Sequence, residues 1–204
     1  MKKNILAFGA HPDDIEYSCY GYLNKLYDKG NSVTCYTASN GSLLDSTSGS
    51  SRISESRNAL SKLNAELIYR DCSGISVLDY EQLSNEIREI IIIKKPSLVL
   101  VHSPHDTHQE HQILYDIVKT SLRRIKSSLI TYQSVSTTSN FIENFSVDIT
   151  DYFDAKKEAL SHHKSQQNKD YYTESYIENF HKSWSSMMSG IDKVERYNVE
   201  HIYE

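Results

Sequence analysis

The sequence contains no block of lysine or arginine and no long apolar stretch. Its 204 residues include 22 basic and 27 acidic side chains and carry a formal net charge of −5. Proteins that bind nucleic acid or anionic membrane surfaces concentrate basic residues, so neither partner is expected here. The densest apolar patch, Ile90–Ile93, is followed at once by Lys94, Lys95 and Pro96. It is therefore far shorter than the roughly 20 residues of a membrane span.

Cysteine is also scarce. The three thiols are widely spaced and form no C-x-x-C pair, a pattern typical of a reduced cytosolic protein rather than a disulfide framework. At the N-terminus two lysines precede an apolar run that soon meets two aspartates, and this run is too short for a signal peptide. We therefore predict a cytoplasmic protein with one domain spanning residues 1–204 and a core that needs no cross-links.

Short apolar stretches suited to buried strands alternate with segments of helical periodicity. In chain order the first predicted elements are Asn4–Gly9, Ile15–Lys29, Ser32–Ala38, Arg52–Asn64, Glu66–Arg70, Tyr80–Lys94, Ser97–Val101, Ile113–Lys126 and Leu129–Thr131. This alternation predicts an α/β protein with a Rossmann-like three-layer α/β/α fold and a mostly parallel sheet. Further along, we predict strands at Phe145–Ile149 and Arg196–Tyr203 and helices at Asp151–Lys164 and Tyr176–Met188. The serine-rich segment Ser42–Ser51 predicts a surface loop that could close over a substrate.

The first predicted strand ends in the sequence Ala10-His11-Pro12-Asp13-Asp14. Loops at the carboxyl ends of parallel strands are where open α/β sheets form their sites. Pro12 restricts His11 to extended geometry, and His11 and Asp14, three positions apart, can hold one divalent ion. Asp13, whose side chain points elsewhere, would then be free to act on a metal-bound water.

A second polar segment, residues 102–111, directly follows the Ser97–Val101 strand and contains four of the nine histidines. Two such loops at equivalent strand ends are expected to meet above one edge of the sheet. His11, Asp14 and His111 would supply two imidazoles and one carboxylate and leave one position open for water. This composition is typical of a hydrolytic zinc site, whereas a closed structural site more often uses cysteines.

The remaining polar groups of the two loops are candidates for roles in hydrolysis. Asp13 would take the proton of a water whose pKa the metal lowers. His108 could donate to a developing oxyanion or protonate a leaving group, and either Asp106 or Glu110 could fix the tautomer of a nearby imidazole. Each loop alone is also typical of a polar turn or a helix cap, but the two together at equivalent strand ends favour a metal site.

Together the two loops resemble a known family. H-P-D-D-x-E after the first strand and D-x-H-x-(D/E)-H after a later one are similar to the metal motifs of the PIG-L/LmbE-like zinc-dependent N-deacetylases. The resemblance extends to Gly21 after Cys19, to the Arg52-x-x-Glu55 pattern and to an H-x-S-Q segment at 163–166. It covers most of the chain, and the two metal motifs are specific when they occur together.

By this resemblance the protein hydrolyses the acetamide of an N-acetylated amino sugar, a GlcNAc-type conjugate, to free amine and acetate. The resemblance implies that His11, Asp14 and His111 are the zinc ligands. It also implies that Asp13 is the general base and that His108 stabilises the tetrahedral intermediate. The metal would be Zn²⁺, with Fe²⁺ as the alternative in the cell.

The resemblance gives supporting roles to three more residues. Glu110 stands where the family usually has aspartate and would orient His108. Glu16 would support the first loop. Arg52 would contact hydroxyl groups of the sugar, although an arginine at the start of a helix is nearly as typical of a solvated position.

Two other functions stay open at this point. A metallohydrolase acting on a non-sugar amide or an ester would share the fold and the ligands, although a phosphoesterase more often needs two metals. A binding protein that keeps the metal without turnover has no need of a free base such as Asp13. A homo-oligomer is compatible with each function. Tyr171, Tyr172 and Tyr176 could line a sugar site or pack as ordinary core and surface residues.

Overall fold

The computed structural model describes residues 2–43, 48–76, 80–184 and 190–203. Within these ranges the chain alternates between strands and helices and adds short 3-10 turns. The strands are β1 (Asn4–Gly9), β2 (Ser32–Thr37), β3 (Glu66–Tyr69), β4 (Leu98–His102), β5 (Ser128–Tyr132), β6 (Phe145–Asp148) and β7 (Val194–His201). The helices are α1 (Asp14–Asp28), α2 (Gly49–Ala59), α3 (Tyr80–Lys94), α4 (Gln109–Ser121), α5 (Phe153–Ser161) and α6 (Glu174–Phe180).

The strands form one mixed sheet in the order β3-β2-β1-β4-β5-β7-β6. Strands β1 to β5 are parallel, and β7 runs antiparallel to both β5 and β6. From β1 the chain first extends the sheet towards β3 and then returns to β4 on the other side of β1. This reversal of strand order creates a crevice at the carboxyl ends of β1 and β4, where ligands bind in open α/β folds.

Both faces of the sheet are buried, as the apolar strands predict. Ile5 and Ala7 belong to the core between the sheet and helices α1 and α5. Leu6 and Phe8 belong to the core on the opposite face, between the sheet and helices α3 and α4. These side chains are at most 2% exposed, and burial of each large one contributes about 1.5–3 kcal/mol. The three-layer α/β/α fold predicted from the sequence is thus confirmed. Among the described residues, no helix combines the length and apolarity that crossing a bilayer requires.

Two boundaries near the site differ from the prediction. The predicted loop Ser42–Ser51 is shorter, because its last three residues already belong to α2, where the N–H of Arg52 bonds to the carbonyl of Ser48. Residues 44–47, the centre of that loop, lie outside the described residues. Helix α4 begins at Gln109, four residues before the predicted start at Ile113, because polar residues rather than the first apolar one form its first turn.

The C-terminal third also departs from the predicted boundaries. Helix α6 ends at Phe180 instead of continuing to Met188, because the chain there pairs with the residues before β7: Lys182 bridges Lys193, and the N–H of Ser183 donates to Asp192. Residues 185–189 of the predicted helix lie outside the described part of the chain. Helical periodicity over 176–188 does not reveal this competition, because the partner residues follow the segment, and Lys193 lies 11 positions after Lys182.

Gly21, in the middle of α1, is a position where a side chain would collide with the opposite element. A Cβ there would lie 2.7 Å from Ile149 Cγ2 and 2.8 Å from Ile149 Cβ. The helix approaches this closely because Glu195, buried on β7, accepts hydrogen bonds from the N–H groups of Gly21 and Tyr22 and pairs with Lys156 of α5 at 2.6 Å. The glycine therefore allows one carboxylate to join α1, α5 and β7.

We expect Gly21→Ala to destabilise the protein, although alanine is ordinarily the better helix former. The gain in helix propensity is about 1 kcal/mol, whereas overpacking of a filled core costs about 1–3 kcal/mol. Because the colliding atoms of Ile149 include its Cβ, which cannot rotate away, we expect an overpacking cost in the upper part of this range, about 2–3 kcal/mol. The net loss in the free energy of unfolding should then be about 1–2 kcal/mol. Urea denaturation measures this change, and an unchanged or increased stability would contradict the packing argument.

Candidate metal centre and active-site cleft

The first loop is held in shape by its own carboxylate. Asp14, the first residue of α1, accepts the N–H of His11 on Oδ2 at 2.7 Å. Between them, Asp13 has φ 114 and ψ −25, a backbone conformation that L-residues rarely adopt and that costs of order 1–3 kcal/mol. This strained turn directs the side chains of the two adjacent aspartates to different partners.

The second loop is organised by Asp106. Its Oδ1 accepts the N–H of His108 at 2.8 Å, and its Oδ2 accepts the Nδ1–H of His111 at 3.0 Å and the hydroxyl of Ser134 at 2.6 Å. Burial opposes ionisation, but these bonds outweigh it and hold the pKa of the Asp106 carboxyl well below its ordinary value. An ionised acceptor on Nδ1 leaves the Nε2 lone pair of His111 free to bind a cation.

Donor atoms from the two loops converge at one point. Asp14 Oδ2 lies 3.4 Å from Nδ1 of His11 and 3.5 Å from Nε2 of His111. Ligand atoms of a tetrahedral zinc ion with bonds of about 2.1 Å are separated by about 3.4 Å, so these spacings suit such an ion. Nε2 of His111 is buried and has no hydrogen-bond partner among the described residues. A buried lone pair that faces a carboxylate oxygen is stabilised when a cation lies between them.

The surroundings of His11 also favour a positive charge at this centre. Its Nε2 contacts Oε2 of Glu110 at 3.1 Å, and Oε2 also accepts the N–H of Ile75 at 2.9 Å. Burial lowers the pKa of His11, but the contacts with Asp14 and Glu110 outweigh it and raise the pKa to about 10. A metal ion would displace the extra proton, because both compete for the same lone pair.

The arrangement around Glu110 differs from the expectation that it orients His108. The described partners of its carboxylate are His11 and the N–H of Ile75, and the main-chain N–H of His108 bonds to Asp106 instead. The ring of His108 stacks on that of His111, with centroids 4.5 Å apart. Burial and the neighbouring histidines lower the pKa of His108, which keeps its imidazole neutral in the absence of a new anionic neighbour.

His102, the last residue of β4, also reaches the centre, and sequence reasoning left it unassigned. Its Nε2 lies 3.1 Å from Asp14 Oδ2 and 3.2 Å from the N–H of Ala10, and its ring stacks on His111 at 3.7 Å. Burial, followed by the proximity of His111, lowers the pKa of His102 to about 4. Two overlapping groups of possible ligands result: His11 with His108 and His111, and Asp14 with His102 and His111. Sequence reasoning could have identified His102 from its position at the end of β4, the strand that pairs with β1.

Asp13 stands beside this centre with partners of its own. Its Oδ1 lies 3.4 Å from Nη2 of Arg52, and its Oδ2 accepts the hydroxyl of Tyr172 at 3.0 Å. Burial raises the pKa of the Asp13 carboxyl, an effect that the charge of Arg52 opposes and that of Asp14 reinforces. A carboxylate whose pKa is raised in this way is better matched to proton abstraction near neutral pH than an exposed one.

Arg52 and Glu16 are both buried. Arg52 donates from Nη1 to the carbonyl of Gly41 and from Nη2 to the carbonyl of Pro12, both at 2.8 Å. Glu16 accepts the hydroxyl of Ser56 at 2.5 Å and lies 3.3 Å from Nε2 of His163. Arg52 therefore ties α2 to the first loop directly, whereas Glu16 links α1 to α2 and to the H-x-S-Q segment.

The two loops and Arg52 line a cleft of about 230 Å³ at the switch point of the sheet. Its lining includes the apolar or aromatic side chains Leu43, Val135 and Tyr171 and the basic side chain of Lys169. The lining also contains polar groups of the two loops; these are His11, Asp13, Asp14, His108, Glu110 and His111. A concave site with convergent polar groups and perturbed pKa values is the expected form of an active site.

Comparison with known proteins agrees with this geometry. A family model described as "PIG-L: GlcNAc-PI de-N-acetylase" matches residues 6–122, more than half of the chain and both metal-capable loops. The chain belongs to the PIG-L family. The resemblance inferred from the two motifs is therefore confirmed.

A curated relative of this PIG-L protein comes from Escherichia coli K12. It is named "Uncharacterized deacetylase YaiS" and is 32% identical over 173 residues, which cover 80% of this chain and 92% of the relative. The match therefore extends well beyond residue 122. The description of the family and the name of this relative both refer to deacetylation.

Two solved structures share the fold of the PIG-L chain. The N,N'-diacetylchitobiose deacetylase of Pyrococcus horikoshii has a TM-score of 0.80 and 19% identity, over 97% of this chain and 83% of its own. The 4-carboxy-2-hydroxymuconate hydratase GalB of Pseudomonas putida KT2440 has a TM-score of 0.81 and 15% identity, over 100% and 98%. Because one is a deacetylase and the other a hydratase, the fold alone does not select the reaction.

For this PIG-L protein, we expect Asp106→Asn to weaken metal binding about 10- to 100-fold, because outer partners of a ligating histidine set its tautomer and basicity. The amide retains the shape of the carboxylate but removes the negative charge beside His111. Competition with a fluorescent zinc chelator measures the affinity. A variant that binds zinc as tightly as the wild type would show that Asp106 does not set the tautomer and basicity of His111.

Proposed function

We propose that the protein is a metal-dependent N-deacetylase that hydrolyses the acetamide of an N-acetylated amino sugar to a free amine and acetate. One observation carries the proposal: Asp13 lines the same cleft as His11, Asp14 and His111, whose donor atoms lie close to one carboxylate oxygen of Asp14. A base adjacent to an open metal position is what hydrolysis of an unactivated amide requires.

His11, Asp14 and His111 are the groups that would hold the ion. The unpartnered Nε2 of His111 and the distances from Asp14 Oδ2 to His11 Nδ1 and to His111 Nε2 support this assignment. Zn²⁺ is the metal we propose, with Fe²⁺ as the alternative, because two imidazoles and one carboxylate suit both. When bound, such an ion supplies a Lewis acid and acidifies water.

Asp13 is the proposed general base. Its carboxylate lies in the cleft yet is 7% exposed, so its strength as a base is set by protein groups rather than by bulk solvent. During hydrolysis it would take the proton of the attacking water and later pass that proton towards the departing amine. General base catalysis of this kind contributes about 10²–10⁴ to a rate.

His108 is the proposed stabiliser of the oxyanion that develops on the amide oxygen. Its ring lies 4.7 Å from that of His11, centroid to centroid, and Nδ1 is unpartnered within the described residues. A neutral imidazole at that position can donate one hydrogen bond, and protonation when negative charge develops nearby would strengthen it. Glu110 would support His11, whose Nε2 it contacts, and Asp106 would support His111 and the main chain of His108.

A GlcNAc-type conjugate is the proposed substrate class. The aromatic and apolar side chains of the lining, Tyr171, Leu43 and Val135, suit the apolar face of a pyranose ring, and the polar groups of the two loops suit its acetamide. Arg52 remains a proposed sugar contact; because it is 5% exposed, only the edge of its guanidinium could reach a hydroxyl group. The Pyrococcus horikoshii enzyme acts on an N-acetylated sugar within the same fold, which supports this choice.

The test is a substrate panel with metal-depleted protein reloaded with Zn²⁺ or, without oxygen, with Fe²⁺. The panel contains N-acetylglucosamine, N,N'-diacetylchitobiose and alkyl glycosides of GlcNAc beside N-acetylated amino acids, acetate esters and phosphate monoesters. Acetate and free amine are measured together. Equal release of both from a GlcNAc compound, faster than from every non-sugar amide, is the expected result.

Each other outcome identifies a different function. Faster turnover of the esters or of the non-sugar amides would assign a different hydrolase. Metal bound with no release from any compound would favour a binding protein. Hydration of a carbon–carbon double bond, assayed on an unsaturated dicarboxylate, would indicate chemistry like that of the Pseudomonas putida neighbour.

A further inference from the structure

We propose that Tyr172 is a positioning residue that holds the carboxylate of Asp13 in the orientation required for proton abstraction. The proposal rests on the proposed function, in which Asp13 is the general base. Tyr172 lies 159 positions from Asp13 in sequence and beyond the part of the chain that the family model matches. Nothing in the two metal motifs points to it.

The contact is direct and buried. The hydroxyl of Tyr172 donates to Oδ2 of Asp13 at 3.0 Å, and Tyr172 is 4% exposed. Burial, with the nearby Asp13 charge, raises the pKa of the Tyr172 hydroxyl well above its ordinary value, so the phenol stays protonated and remains a donor. A carboxylate oxygen has two lone-pair directions, and the bond from Tyr172 occupies one of them.

The side chain of Asp13 extends from an unusual backbone conformation, so its orientation depends on contacts with the surrounding protein. The positive φ of 114° is a conformation that surrounding contacts must enforce. Of the two side-chain partners, Arg52 is the more distant, at 3.4 Å from Oδ1, and its remaining bonds go to main-chain carbonyls. The shorter bond from Tyr172 on the other oxygen therefore fixes the rotation of the carboxylate about its Cβ–Cγ bond.

Tyr172 is itself held firmly. It ends the 3-10 turn Asp170–Tyr172, in which its N–H donates to the carbonyl of Lys169. The hydroxyl of Tyr17 on α1 donates to the carbonyl of Tyr171 at 2.7 Å. Tyr171 of this turn and Lys169, which directly precedes it, also line the cleft. One short segment thus forms part of the substrate wall and supports the base behind it.

The test is Tyr172→Phe, which removes the hydroxyl and keeps the ring packed. With the GlcNAc compound that the wild type turns over fastest, kcat should fall about ten- to a hundredfold, the size of effect expected from a misplaced catalytic group. KM and zinc affinity should stay within twofold, because neither the cleft wall nor the ligands change. A role in packing alone would not produce this division between kcat and KM.

Tyr36→Phe is the matched control. Tyr36 is equally buried and donates its hydroxyl to a carboxylate, Glu86, at 2.9 Å, but it lies in the core on the other face of the sheet. It should lose comparable thermal stability with kcat unchanged. A Tyr172→Phe enzyme with the wild-type kcat would overturn the inference while leaving Asp13 as the base. If the wild type turned over no compound, the proposed function would fail first, and the inference with it.

Discussion

Asp13→Asn should lose about 10²–10⁴ in kcat and still bind one metal ion as tightly as the wild type. The amide is isosteric with the carboxylate and cannot accept a proton from water. Asparagine is also among the few residues that tolerate a positive φ, so the strained turn survives the substitution. The hydrogen bond from Tyr172 can persist to the amide oxygen, which keeps the side chain in place.

The experiment compares kcat with metal content and thermal stability. Metal is measured by plasma emission spectrometry after dialysis, and turnover by acetate release. If the variant retains its metal, the fall in kcat reflects the loss of the base and not the loss of the metal centre. An Asp13→Asn enzyme that hydrolyses at the wild-type rate would remove Asp13 from the mechanism, and one that loses its metal would make Asp13 a ligand.

His111→Ala should abolish both metal binding and activity. It removes the donor whose Nε2 faces Asp14 Oδ2 at 3.5 Å, together with the ring that stacks on His102 and His108. Two ligands from the first loop cannot alone hold zinc against dialysis, since catalytic sites use three protein ligands. Excess Zn²⁺ should restore little activity, because the position of the ion depends on the missing donor.

His105→Ala is the matched control, because His105 is an exposed histidine in the same loop. It should bind zinc and turn over substrate as the wild type does. If His111→Ala kept stoichiometric zinc, the ion would have to lie with another set of three, and Asp14 with His11 and His102 would be the first candidate. Anomalous diffraction at the zinc edge would then locate it.

The parts of the molecule that the sequence predicted well are those with short-range signals. The apolar run of β1 and the H-P-D-D segment after it lie within eleven residues, so the strand and its loop could be derived together. The same holds for β4 and the histidine-rich segment that follows. Parallel strands deliver both loops to one edge, and this geometric rule connected His11 with His111 across 99 intervening positions.

The contacts that could not be predicted depend on distant partners. Tyr172 reaches Asp13 from a 3-10 turn with weak periodicity, and the fifteen tyrosines offered no means of distinguishing it. Glu110 contacts His11 rather than His108 because the first turn of α4 presents it towards the opposite loop. Strand β7 enters between β5 and β6, and no local pattern encodes that order. Each case is decided by tertiary packing rather than by local preference.

The hydrogen bond from the N–H of Ile75 to Glu110 provides a way to observe metal binding from a residue that is not itself a proposed ligand. Zinc is spectroscopically silent because its d shell is full, so loading is hard to follow directly. The amide of Ile75, 2.9 Å from Oε2 of Glu110, should shift in a ¹⁵N-resolved NMR spectrum when the proton on His11 gives way to a metal ion, since that exchange alters the charge around the accepting oxygen. Titration of that single resonance would then record occupancy in solution without a dye, a substrate or a substituted metal.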